Sequence, residues 1–96
     1  MNTEKRTSIR QWSEDDRPRE KMLKNGVRSL SNAELIAILL SSGNRRESAL
    51  DLAKRILSDY TNNLNELGRT AINDLMRYQG VGQAKAVTIA AALELG

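Results

Sequence analysis

Residues 75–86 read Leu-Met-Arg-Tyr-Gln-Gly-Val-Gly-Gln-Ala-Lys-Ala, and this stretch constrains the fold more tightly than any other part of the chain. An apolar helical segment runs into Gly80-Val81-Gly82, and an alanine-rich helical segment begins at once. Two glycines around one apolar residue make a very tight turn. Gly80 is suited to the left-handed conformation that ends a helix. Gly82 leaves the backbone open where the next helix starts, and N–H groups at a helix start lack partners within the helix and carry partial positive charge. Such a turn can receive a phosphate oxygen.

The chain around it is a helix former. Its 96 residues suffice for one small core. Aromatic residues are 3%, namely Trp12, Tyr60 and Tyr78, so the core must come from Leu, Ile, Val, Ala and Met. So few rings also argue against a base-stacking platform. Cys and His are both absent. That excludes disulfides, thiolate and imidazole metal sites, and nucleophilic catalysis of the Cys–His or Ser–His kind. No cofactor is expected, and no enzyme activity for this chain. No run reaches the length of a membrane span, and Met1 to Arg6 is polar with no apolar stretch behind it, so a cytoplasmic protein is the expectation.

Residues 1–15 lack periodicity and read as a flexible tail with Ile9 and Trp12 as candidate anchors. A helical domain over 16–96 follows. Asp16 and Pro18 read as a helix start and Gly26 as its stop. Ser31-Asn32-Ala33-Glu34 matches a capping box ahead of a helix to Leu40 that is apolar nearly all round, with Gly43 as its stop. Asn44 to Glu47 is a weaker capping match before the helical pattern Ala49, Leu52, Ala53, Ile56, Leu57, Tyr60. Leu64–Gly68 reads as a short helix. Thr70 can cap a helix over 71–78 with Ile72, Leu75 and Met76 inward, and the last helix spans Gln83 to Leu95. The expected core is Leu35, Ile38, Leu39, Leu52, Ile56, Leu75, Ile89 and Leu93.

A shift of 37 residues superimposes Leu30 on Leu67, Ile38 on Leu75, Gly43 on Gly80, Ala49 on Ala86 and Leu52 on Ile89. The expected fold is therefore all-α, five to six short helices. It is a helix-hairpin-helix domain with one intact hairpin over 71–95 and one degenerate pseudo-repeat at Gly43-Asn44-Arg45. Two such units about a pseudo-twofold axis would suit the two antiparallel strands of a duplex.

Three blocks, Arg17-Pro18-Arg19-Glu20-Lys21, Leu30 to Leu40, and Gly80 to Ala86 continuing through Ala91 to Gly96, resemble the N-terminal region of RadC-type proteins. The resemblance runs from Arg17 to the end of the chain. It implies a bacterial helix-hairpin-helix domain in a family named for DNA repair. It also implies a partner: a following domain of the JAB/MPN metalloprotease-like type, whose His-x-His and Asp metal site has no counterpart here.

Two functions compete. In the first, the domain binds the DNA backbone without reading bases. Gly80, Val81, Gly82, Gln83 and Lys85 would form the phosphate cradle, with Arg45 and Arg46 as a second contact. Net charge is +3, but residues 1–30 hold eight Lys/Arg against five Asp/Glu while the rest of the chain balances. The cradle would thus rest on amides and Lys85 rather than on a basic field. In the second, the hairpin is purely structural, and the domain docks on the JAB/MPN-type domain or on another copy. The pair Arg17 and Arg19 fits either.

Overall fold

The computed structural model describes residues 3–96, with side chains from Ser13 onward. Among the described residues there are six α-helices and no strand: α1 (Thr3–Asn25), α2 (Asn32–Leu40), α3 (Ala49–Asp59), α4 (Leu64–Gly68), α5 (Ile72–Leu75) and α6 (Gln83–Leu95). A single 3₁₀ turn, Val27–Ser29, links α1 to α2.

Helix α1 begins well before the expected start at Asp16, so the boundary drawn between residues 15 and 16 falls inside it. The Ile9 and Trp12 side chains lie outside the described residues. Proline at position 18 reads as a first-turn residue, but it is interior. Interior proline removes one helical hydrogen bond, at a cost of about 3 kcal/mol. Full burial of the Pro18 ring offsets part of that cost. One turn earlier, Asp15 is 6% exposed and its carboxylate accepts from the Ala49 amide at 2.6 Å. Helix α1 thus caps α3 as well as packing on it.

The capping box at the start of α2 forms as expected. Ser31 Oγ accepts from the Glu34 amide at 3.2 Å, and Glu34 Oε1 accepts from the Ser31 amide at 2.9 Å. Lys21 adds an ion pair at 3.1 Å. The Ser31 hydrogen bond, with Lys21 behind it, holds the Glu34 carboxyl below its ordinary range. In the unfolded chain this group therefore takes up a proton at a higher pH than in the folded one. Its stabilisation is complete above the unfolded pKa and is lost as pH falls through the lower, folded value. Urea melts of wild type and Glu34→Gln should therefore converge on acidification below about pH 4.5, the ordinary carboxyl value. A gap independent of pH would count against this assignment.

The core corrects the expected phase of α2. Leu52, Ile56, Leu75 and Ile89 are buried as expected, but α2 buries Ile36, Ala37 and Leu40. Leu35 and Ile38 are only half-buried, and Leu39 and Leu93 pack at the core's edge. A helix apolar on every face gives periodicity nothing to choose between. Contact with α1, α3 and α6 makes the choice instead.

Helix α5 is a single turn rather than the expected span 71–78, and Thr70 does not cap it; Ala71 occupies that position. Ile72 and Met76 are 38% and 40% exposed, so only Leu75 of the three expected inward residues is buried. Short-range bonds from Arg77 to Asp74 and from Tyr78 to Leu75 wind the chain tightly into the turn. Helices α4 and α6 match expectation, and α6 matches it residue for residue.

Candidate nucleic-acid interface

The hairpin begins where Gly80 takes a φ of +93°. Left-handed backbone suits glycine, and space selects for it too. A Cβ there would lie 2.9 Å from the Gly43 carbonyl oxygen and 3.0 Å from Asn44 Cβ. The two loops related by the 37-residue shift are thus in contact, and Asn44 Nδ2 donates to the Gln79 carbonyl at 2.8 Å. The superimposed Ala49 and Ala86, and Leu52 and Ile89, are all buried.

The second loop departs from the first in detail. The shift places Gln83, the first residue of α6, on Arg46, but α3 begins at Ala49 with Ser48 as its cap. The capping signal at Asn44 is real as hydrogen bonding. Asn44 Oδ1 accepts from the Arg46 and Glu47 amides, both at 2.9 Å. These bonds close a turn instead of opening a helix. Gly43 does not end α2; Ser41 does, at φ 60°. Gly43 is where the loop closes on itself, its Asn44 neighbour donating to the Glu47 carbonyl at 2.9 Å.

The two helix starts therefore differ. At α3 the Ala49 amide is taken by Asp15 and the Asp51 amide by Ser48 Oγ. At α6 the cap is Gly82, with extended backbone and no side-chain hydrogen bond. Gly82, Gln83 and Ala84 are exposed. One helix start is closed by the protein's own carboxylate and the other faces solvent.

Among the proposed cradle residues, Val81 and Lys85 have internal partners. Val81 is 3% exposed, and its amide donates to the Tyr78 carbonyl at 3.0 Å. That is a correction to its place in the cradle: the apolar residue between the glycines plugs the core, and its N–H is spent inside the turn. Lys85 Nζ donates to the Ser42 carbonyl at 3.0 Å and to Ser42 Oγ at 2.9 Å. Burial lowers its pKa from the ordinary lysine value, opposed by the charge of Asp15. Lys85 ties α6 to the 41–48 loop. Arg45 and Arg46 are exposed on that same loop.

Beside the hairpin, sequence reading missed a polar cluster. Arg55 makes a two-pronged ion pair with Glu47, at 2.9 and 2.8 Å, and its guanidinium lies 5.3 Å from the centre of the Tyr78 ring. The Tyr78 hydroxyl donates to Asp59 Oδ2 at 2.6 Å. Burial and that bond raise the tyrosine pKa, keeping the ring neutral. Arg55 and Asp59 lie on α3 and Tyr78 beyond α5, so no short-range pattern could have joined them.

Among the described residues, no helix is long and apolar enough to cross a membrane, and no group of three acidic side chains gathers as a metal site. The chain matches the UPF0758 N-terminal family over residues 9–87. It is 53% identical over 89 residues to a UPF0758 protein of Flavobacterium johnsoniae, covering 93% of this chain and 38% of that one. A UPF0758 protein of Porphyromonas gingivalis is 49% identical over 89 residues, covering 92% and 39%. One of Staphylococcus aureus strain Newman is 43% identical over 88 residues, covering 92% and 38%. The chain thus spans well under half the length of the curated relatives it matches. No solved structure matches it.

Proposed function

This chain belongs to the UPF0758 family, the RadC-like proteins, and from that premise we propose that it is a module that holds the DNA backbone without reading bases. One observation carries the reading: α6 opens with exposed, uncapped backbone at Gly82, Gln83 and Ala84, braced against the loop that bears Arg45 and Arg46. Amides in that position favour a phosphate oxygen. The arginines add charge at the neighbouring loop, and Lys85 serves by positioning, since its ammonium is bonded to Ser42. The proposal includes a cytoplasmic setting and a role in DNA repair. Binding should fall in the non-specific range, on the order of 10⁻⁴ to 10⁻⁶ M at physiological salt.

The test is fluorescence anisotropy with two unrelated labelled duplexes across a salt series. Wild type should bind both alike, more weakly as salt rises. Arg46→Ala should lower the salt slope by about one, the loss of one phosphate contact. Lys85→Met should leave the slope unchanged and lower stability in urea by about 1–2 kcal/mol, because it removes charge-assisted hydrogen bonds. No binding at low salt would end the DNA reading. A lowered slope for Lys85→Met would return that lysine to the cradle.

A second reading has its own support. The outward face of α6 carries Ala84, Val87, Ala91 and Leu95, all exposed, with Val87 at 45% and Leu95 at 91%. A helix apolar on both faces is more often covered than bare. Docking on a following JAB/MPN-type domain, or on a second copy, would cover it. Glutamate at Val87, Ala91 or Leu95, clear of the Gly82–Ala84 helix start, would leave DNA binding intact and abolish docking.

A further inference from the structure

A groove of about 640 Å³ opens beside the hairpin, walled by Arg55, Asp59, Tyr60, Asp74, Arg77 and Tyr78. Its size falls within the roughly 300–1,000 Å³ of small-molecule sites. Gln79 also lines it, one residue before Gly80, so it adjoins the turn assigned to the phosphate. The chain has only three aromatic residues, and two of them meet here.

The charges in this groove are already answered. Arg55 is paired with Glu47, Arg77 with Asp74 at 3.7 Å, and Asp59 accepts from the Tyr78 hydroxyl. Such a lining offers little to a phosphate. Its flat groups are two phenol rings and two guanidinium planes, of which Arg55 already lies over the Tyr78 ring, beside carboxylates that can only accept hydrogen bonds. Flat neutral heterocycles that donate from an amino group suit those surfaces, and stacking on Tyr and Arg is how proteins hold unpaired bases. The Arg77 side chain is 83% exposed, so its plane is accessible from solvent.

We propose that this groove takes one unpaired, amino-bearing nucleobase of a DNA strand whose backbone lies on the α6 hairpin. The inference rests on the backbone-binding reading and deepens it: the preferred ligand becomes a duplex with an extruded base. Aromatic residues are few in the sequence, and stacking depends on where they meet. The fold gathers two of them.

The test compares three labelled duplexes with the 96-residue protein: fully paired, bearing a single-adenine bulge, and bearing an abasic bulge of the same backbone length. Wild type should favour the adenine bulge over the abasic one by about five-fold or more, the yield of one stacked base. Arg77→Lys keeps the charge and loses the planar guanidinium. It should abolish that preference while leaving paired-duplex affinity unchanged, with circular dichroism confirming the fold. Equal affinity of wild type for the two bulges would overturn the groove assignment and leave the backbone reading standing. A preference that survives in both Arg77→Lys and Arg77→Ala would place the base elsewhere and overturn it as well. Failure to bind any of the three would overturn both.

Discussion

Gly43→Ala should be the most damaging single methyl in this protein. A Cβ at that position would press on the Glu47 carbonyl oxygen, 2.5 Å from the Ser48 carbonyl carbon and 2.8 Å from the Ala49 nitrogen. Each of these is backbone, so no side chain can swing aside. Relief requires opening the 43–48 loop. That would strain the Asn44 turn, the bond from Asn44 to Gln79 and the Ser48 cap of α3. We expect a loss of about 3–5 kcal/mol, at the upper end for overpacking and a large share of a small domain's stability. Gly82→Ala is the matched control. Its Cβ would meet nothing within 4 Å, so its cost should stay below about 1 kcal/mol. Urea denaturation followed by circular dichroism reads both. Equal effects would mean that the 43–48 loop is not closed in the way described.

The second large effect lies on α2. Leu40→Ala should cost about 2–5 kcal/mol, because the side chain is fully buried and its removal leaves a cavity. Ile38→Ala, two residues away, should cost about 1 kcal/mol or less, since Ile38 is half-buried and outside the core cluster. The core expected from sequence includes Ile38 and omits Leu40, so this pair of melts separates the two phases of the helix. A larger loss at Ile38 than at Leu40 would restore the phase with Leu35, Ile38 and Leu39 inward.

What was legible in the sequence was local. Gly80 at positive φ, the Ser31–Glu34 capping box, the Gln83–Leu95 helix and the stop at Gly26 each depend on residues within about one turn of one another. The 37-residue repeat was readable in part: Leu30 and Leu67, Ala49 and Ala86, and Leu52 and Ile89 are buried in both units, whereas half-buried Ile38 superimposes on buried Leu75. The phase of α2 was not, since six consecutive apolar or small residues, Leu35 to Leu40, point in every direction.

The site divides in the same way. The sequence alone supplied the open helix start at Gly82, because glycine has no side chain with which to cap itself. Only the tertiary structure decided what surrounds it. Asp15 reaches across 34 residues to close α3, and Lys85 reaches across 43 to Ser42. Arg55 and Asp59 on α3 meet Tyr78 from the turn beyond α5. A charged side chain several ångströms long can serve solvent, a ligand or a distant carbonyl. Which of these it serves depends on burial and on the partners that packing brings within hydrogen-bond reach, and short-range sequence pattern records neither.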